Sequence, residues 1–326
     1  MCGDVDACIC YSGYTGTTCG NQIIGTLYSA GGADTGQAAD GLSGVYNTYT
    51  WYMTQAMAFS GVNVTWSSIS QEGDASLVLT TAGVLYGVGL NTYGLLGDGT
   101  ATMRLAKTLV TGPVLGKKII DVCAGLKFAM AVDSTGKLYA WGYNGYDLFF
   151  INFFSYGQLG TGGTTSTYTP IQVGGDLLNI TVAQIACGTS HAMAITSNAT
   201  AFIWGNNDFK QVGDGLTTDR LLPFQIYLTG LIYKKRVVHI AGGQRHTVML
   251  AADGVPYGVG DCYYYQFGTC PQTVMSPPFI IPGFAGKRIV RVAAGTLVSH
   301  FLDSTGDLYG VGYNSHWAVR ILKTCF

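Results

Sequence analysis

Short runs in which apolar and polar residues alternate recur along this chain, each broken by a turn and then resumed. They stand out in "CAGLKFAMAVDSTGKLYAWG", "CGTSHAMAITSNATAFIWG", "AGGQRHTVMLAADGVPYGVG" and "AAGTLVSHFLDSTGDLYGVG". In each, a small residue and a glycine precede a strand-like run. A turn follows, such as Asp133-Ser134-Thr135-Gly136 or Asp303-Ser304-Thr305-Gly306, and then a second short strand ends on glycine. Asp-x-x-Gly suits a hairpin because Asp bonds the turn backbone and Gly accepts positive φ. The pattern predicts repeated antiparallel strand pairs.

The second strand of each pair carries a Leu-Tyr-x-x-Gly signature. It appears as LYSAG at Leu27, LYGVG at Leu85, LYAWG at Leu138, FIWG at Phe202, PYGVG at Pro256 and LYGVG at Leu308. Copies lie roughly 52 to 63 residues apart, a period expected of propeller-type arrays. Behind the signature comes a glycine-rich crossing: "GLNTYGLLGDG", "GYNGY…YGQLGTG" and "GNNDFKQVGDG". Glycines there let neighbouring backbones approach closely and turn sharply.

Composition agrees with strands and turns. Among 326 residues there are 47 glycines and 21 tyrosines, charged residues make up 11%, and Glu72 is the sole glutamate. Long solvated helices favour Glu, Lys and Arg on their exposed faces, so an all-β chain is expected. The formal net charge of -1 argues against nucleic acid as a partner. No apolar run approaches the roughly 18 to 20 residues that span a bilayer, and the longest, Leu148 to Phe154, contains Asn152.

These ordered elements resemble the RCC1 repeat family: a small-Gly pair, then His, then an aromatic-Gly-x-Asn turn, then Gly-Gln-Leu-Gly. The copies from Asp121 to Val173 and from Ile185 to Ile226 match best, and the resemblance covers roughly Gly25 to Asn314. It implies a β-propeller, usually seven-bladed, with four-stranded antiparallel blades around a central channel. Here about six repeats are recognisable. The first lacks an upstream strand pair, and little follows the last except "SHWAVRILKTCF". A ring incomplete at one or both chain ends is one expectation and a compact six-bladed ring the other.

One crossing is interrupted. From Gly142 to Gly162 the chain would read "GYNGYGQLGTG" if Asp147 to Tyr156 were removed. Three readings of this insertion compete. Phe149, Phe150, Phe153 and Phe154 form a partner-binding tip, because insertions in repeat arrays map to loops on one face. Alternatively the loop folds back over a blade edge, or the segment is a retained untranslated stretch.

Four of nine cysteines fall in the first nineteen residues. Cys8, Cys10 and Cys19 resemble the C-terminal half of an EGF-like module, whose last cysteines surround a Gly-aromatic-x-Gly turn. That resemblance implies a Cys10–Cys19 pair, a partial EGF-like segment over 1–20, the propeller over 21–326, and an oxidising compartment. The C-x-C spacing fits zinc poorly. In such a compartment Cys262 and Cys270, flanking "YYYQFGT", form a disulfide, and Asn63, Asn179 and Asn198 head glycosylation sequons. Cys123 and Cys187 occupy small-residue positions and read as packed free thiols.

Chemistry is sparse. His191 and His246 stand at the repeat histidine position, where other copies have Ser76, Phe128 and Val298, so structural histidines are expected. His239, His300 and His316 show no metal-ligand spacing. There is no G-x-S-x-G elbow and no Walker loop, and the glycines of "GVGLNTYG", from Gly87 to Gly94, precede no helix pattern. Asp98, Asp214 and Asp40 sit at equivalent places and read as turn-formers rather than calcium ligands. A propeller hydrolase would need titratable groups converging at one pocket. The favoured expectation is therefore a non-enzymatic propeller, without cofactor or metal, in an extracellular or lumenal EGF-containing protein. It would bind a protein or glycan on one face. The alternative is an intracellular, cytoplasmic or nuclear, RCC1-like regulator such as a guanine-nucleotide exchange factor for a small GTPase.

Overall fold

A computed structural model describes residues 14–15, 21–22, 28–32, 49–55, 63–70, 75–145, 156–226 and 232–313. At the N-terminal end, β1 (Tyr14–Thr15) pairs with β2 (Asn21–Gln22), and β3 (Tyr28–Gly32) pairs with β4 (Tyr49–Gln55). Four four-stranded antiparallel sheets follow in sequence order. Blade 1 holds β5 (Val64–Ile69), β6 (Ala75–Thr80), β7 (Leu85–Gly89) and β8 (Arg104–Leu109). Blade 2 holds β9 (Ile119–Ala124), β10 (Phe128–Asp133), β11 (Leu138–Gly142) and β12 (Thr167–Gln172). Blade 3 holds β13 (Val182–Cys187), β14 (His191–Thr196), β15 (Ala201–Gly205) and β16 (Arg220–Gln225). Blade 4 holds β17 (Val237–Gly242), β18 (His246–Ala251), β19 (Pro256–Asp261) and β20 (Val274–Ile280). Blade 5 is three-stranded: β21 (Ile289–Ala294), β22 (Val298–Asp303) and β23 (Leu308–Gly312).

The expected all-β, blade-type architecture is what the chain adopts, and the described residues do not close it into a ring. First strands of successive blades, β5, β9, β13, β17 and β21, pack against one another and form the inner edge. Each blade is a simple meander. The first-to-second turns and third-to-fourth crossings therefore lie on one face, and the Asp-x-x-Gly hairpins and blade-to-blade connections on the other.

The second strands of blades 1 to 4 are buried along their whole length, which alternation alone does not foretell. Of these, β10, β14 and β18 are sandwiched between two neighbouring blades, and β22 of blade 5 is half-buried. On β10, Phe128, Met130 and Val132 join the core shared with blade 3, while Ala129 and Ala131 join the core shared with blade 1. On β14, Ala192 and Ala194 face blade 2, and Met193 and Ile195 face blade 4. Large residues on one face and small ones on the other let sheets interdigitate at close-packed density.

Glycine sets how near the blades come. A Cβ on Gly125 would lie 2.6 Å from the Gly188 carbonyl oxygen, on Gly188 2.8 Å from that of Gly243, and on Gly243 2.6 Å from that of Gly295. The small-Gly steps of successive blades are thus stacked backbone on backbone. Hydrogen bonds run beside the stack: Leu126 N to Thr189 O at 3.2 Å, Thr189 N to Gly243 O at 3.1 Å and Gln244 N to Thr296 O at 3.1 Å. In blades 2 and 3 an indole completes the joint, Trp141 Nε1 donating to Leu95 O at 2.7 Å and Trp204 Nε1 to Gln158 O at 2.9 Å.

Gly243→Ala is therefore expected to destabilise the protein by about 1–3 kcal/mol, the range for overpacking a tight joint. Gly163→Ala, where a Cβ meets nothing within 4 Å and the backbone, as at Gly243, is not left-handed, serves as the comparison for replacing glycine alone. Denaturant midpoints of both variants check this, and an unchanged midpoint for Gly243→Ala would show that the stack tolerates a methyl group.

Candidate functional site

Three of the four glycine-rich crossings, those of blades 1 to 3, are built around one buried asparagine each. Asn91 Oδ1 accepts from Leu96 N at 2.9 Å, Asn144 Oδ1 from Leu159 N at 2.9 Å, and Asn207 Oδ1 from Val212 N at 3.0 Å. Their Nδ2 groups donate to the far side of the crossing: Asn91 to Asp98 at 3.0 Å, Asn207 to Asp214 at 2.9 Å and Asn144 to Gly163 O at 2.9 Å. Asp98 and Asp214 also pair with Arg104 and Arg220 at 2.7 and 2.6 Å. Burial would raise the Asp98 carboxyl, but hydrogen bonds from Thr100 and Arg104 hold it below the usual carboxylate range. Both acids have turn-forming roles as expected, and Asp40 lies outside the described residues.

The insertion leaves its crossing intact. The Asn144–Leu159 bond spans fifteen residues where its counterparts span five, at nearly the same distance. Gly157 N bonds Asn144 O just as Gly94 N bonds Asn91 O. Tyr156-Gly157 therefore matches Tyr93-Gly94, and the inserted ten residues are 146–155 rather than Asp147 to Tyr156. Phe149, Phe150, Phe153 and Phe154 lie outside the described residues, but both ends of their segment leave from the crossing face.

That register exposes a pattern the sequence reading missed. Tyr93, Tyr156, Phe209 and Tyr264 occupy one position at the tips of four successive crossings. The residue after each is left-handed, Gly94 and Gly157 by φ of 77° and 65°, Lys210 and Tyr265 by 58° and 60°. Side chains from the next blade's turn roof two of these rings. Lys127 Nζ sits 4.3 Å from the Tyr93 centroid and donates to its hydroxyl at 3.2 Å, and the Arg245 guanidinium carbon lies 4.2 Å from the Phe209 centroid. Tyr93 also meets Tyr143 edge-on at 5.3 Å, and Tyr264 meets Tyr263 and Tyr313, each at 5.0 Å. Tyr263 and Tyr265 are 64% exposed. An aromatic two residues past the crossing asparagine, read in "NTYG" and "NDFK", was the available signal.

Other candidate residues fall elsewhere. His191 and His246 are fully buried, with Nε2 at 2.9 Å from Thr247 Oγ1 and 3.0 Å from Ser299 Oγ. Burial pushes them down to about 3 and about 4, so they are neutral inter-blade pins. Their equivalent in blade 1 is Ala75, which pairs with Gly89, rather than Ser76. His239 holds the same register on β17 as Asp121 on β9 and Arg291 on β21, at the inner edge. Burial lifts Asp121 to about 6, and burial with the nearby Arg291 charge lowers His239 to about 4. Among the described residues no three or more His, Cys, Asp or Glu could hold a metal, and no helix is long and apolar enough to cross a membrane. His316 lies outside the described residues.

Cys123 and Cys187 are not packed free thiols. Adjacent inner strands bring their Cα atoms to 5.7 Å and the structure joins them as a disulfide between blades 2 and 3. Sequence alone could not align them, because they sit one register position apart on different blades. A disulfide also spans Cys262 and Cys270, with Cα atoms 6.0 Å apart. Cys10 and Cys19 lie outside the described residues. Asn63, Asn179 and Asn198 are all exposed.

This geometry defines a class, a blade-repeat scaffold that presents loops on two faces and assembles no catalytic constellation among its described residues. The chain belongs to the RCC1-like domain family, whose model matches residues 9–321. It is 32% identical over 224 residues to the human E3 ubiquitin-protein ligase HERC2, covering 68% of this chain and 4% of that protein. To the Arabidopsis thaliana ultraviolet-B receptor UVR8 it is 29% identical over 249 residues, covering 76% of this chain and 53% of the receptor. The chain thus spans about half of one relative and a small fraction of the other. Prp20p from Saccharomyces cerevisiae shares the fold at a TM-score of 0.72 and 19% identity, over 88% of this chain and 66% of that one. Human WBSCR16 does so at 0.67 and 19%, over 80% and 64%.

One acid on the crossing face titrates near neutrality. Burial lifts Asp219 to about 7, against the Asn207 N–H that donates to it at 2.8 Å and with the charge of Asp208 adding to the rise. A raised folded pKa favours the protonated folded form, so stability from this group is full below about 4 and is lost as pH rises to about 7. Asp219→Asn should match the parent in denaturant midpoint at pH 4 and exceed it at pH 8. A constant difference across that range would rule out the shift.

Proposed function

We propose that this chain is a non-enzymatic, protein-binding RCC1-like propeller that serves as an intracellular regulator. Its partner docks on the crossing face. The observation that carries this is the repeated aromatic tip, Tyr93, Tyr156, Phe209 and Tyr264, roofed by Lys127 and Arg245. Aromatic and arginine side chains concentrate binding energy at protein interfaces, and Arg245 stacks on Phe209 at the crossing face. The ten inserted residues begin and end in the crossing of blade 2, and on this reading Phe149, Phe150, Phe153 and Phe154 among them belong to the contact.

Relatives support this setting. HERC2 is a ubiquitin ligase, and ubiquitin transfer is an intracellular reaction. Prp20p is described with binding properties to Gsp1p and histones, and yeast RCC1 (Prp20) with Kap60 bound. A small GTPase is one partner this reading admits. The extracellular, EGF-bearing reading rests on the cysteines before Gly20, on three sequons and on the Cys123–Cys187 and Cys262–Cys270 disulfides, and the family relatives lend it no support.

The test is affinity capture on the full chain from its source cells, comparing the parent with Phe209→Ala/Arg245→Glu and with Lys235→Ala on the opposite face. Proteins retained by the parent and by Lys235→Ala but lost, by about tenfold or more, from the double variant are expected. Equal recovery on all three would remove the crossing face as the docking surface.

A further inference from the structure

Three of the blades fill the corner between the incoming connection and the Asp-x-x-Gly hairpin in the same way. A lysine two residues before the first strand, Lys117, Lys235 or Lys287, enters that corner and meets an acid of the hairpin. Lys117 Nζ lies 2.5 Å from Tyr139 Oη and 3.3 Å from Asp133 Oδ2, and Tyr139 donates to Asp133 at 3.2 Å. Lys287 bonds Tyr309 at 2.7 Å beside Asp303, and Lys235 pairs with Asp253 at 2.7 Å.

Blade 3 departs from this at every position. The pairing of Val182 with Thr196 matches that of Ile119 with Asp133 and Ile289 with Asp303. By that register Ile180 replaces the lysine, Thr196 the aspartate and Phe202 the tyrosine. The corner is left as a cavity of about 400 Å³ lined by Asp176, Asn179, Asn198, Thr200 and Gln225, with Phe202 at its floor. The side chains of Asp176, Asn179 and Gln225 make no hydrogen bond among the described residues, so their donors and acceptors are available to a ligand. Asn198 spends its Oδ1 on the Thr196 hydroxyl and keeps its Nδ2.

We infer that this cavity binds a neutral polyhydroxylated ligand, one or two sugar rings in size. Amide and hydroxyl groups offer mixed donors and acceptors at a single mouth, which suits vicinal hydroxyls. One carboxylate, on Asp176, gives a strong acceptor beside these neutral groups. The volume lies within the range of small-ligand sites. A cationic ligand is a poorer fit, because the buried acid that holds the lysine in blades 2 and 5 has become Thr196. The site is on the face opposite the aromatic tips, so it stands or falls apart from the docking proposal.

The test is saturation-transfer NMR on the unglycosylated full chain with methyl hexopyranosides, disaccharides and myo-inositol, followed by titration calorimetry of any binder. A glycan array separates a free sugar from one carried on a glycan. At least one member should bind, with affinity reduced about tenfold or more by Asp176→Ala or Gln225→Ala. The combined variant I180K/T196D/F202Y, which rebuilds the lysine arrangement of the other blades, should keep the parent's circular dichroism and lose binding. No transfer to any member of either panel, or binding unchanged in the rebuilt variant, would overturn the inference. So would finding native Asn179 and Asn198 both glycosylated, because their glycans would occupy the mouth.

Discussion

Backbone lies on backbone where the blades meet, and that contact is possible only because Gly125, Gly188 and Gly243 lack a Cβ. Each abuts the next blade's carbonyl oxygen at a distance no side chain would allow. From this spacing the remaining joint follows. At that separation the second strands are gripped on both faces, Trp141 and Trp204 reach the preceding crossing, and His191 and His246 reach the next blade's hydroxyls. The burial of both faces explains why Ala alternates with Phe, Met and Val on β10. One side must accept a neighbour's bulk while the other supplies it.

A repeat held by its inner joints is free to vary at its two faces. Three crossings keep their buried asparagine and vary around it, so that ten residues enter between Asn144 and Tyr156 without lengthening the Asn144–Leu159 bond. On the other face, the lysine-centred corner of blades 2 and 5 becomes an open cavity in blade 3 through three coordinated replacements. In both places the candidate function lies where one blade differs from its neighbours. The shared framework supplies the reference that makes the difference visible.

Much of this was legible along the chain. The hairpin turns, crossings and period came from Asp-x-x-Gly, Leu-Tyr-x-x-Gly and the small-Gly step, each a local requirement of backbone geometry. Asp133 shows why such a signal is reliable: its Oδ1 accepts from the Thr135 and Lys137 N–H groups within its own turn. The aromatic tips were less legible, since the insertion displaces Tyr156 and Tyr264 follows a cysteine rather than an asparagine. The Cys123–Cys187 pair was not legible, because the separate positions of the two residues within their own repeats hide that they face each other.

Sequence periodicity was therefore enough for strand order, turn chemistry and the all-β family architecture, because each depends on residues within one repeat of one another. Contacts between blades depend on rotation and stagger of whole sheets, which no local pattern records. Which thiols meet, which aromatics share a face with Lys127 and Arg245, and which corner is left unfilled around Phe202 were decided only when the sheets packed. Those are distances between residues far apart in sequence, 34 positions for Lys127 and Tyr93 and 64 for Cys123 and Cys187, set by how closely glycine lets the blades approach.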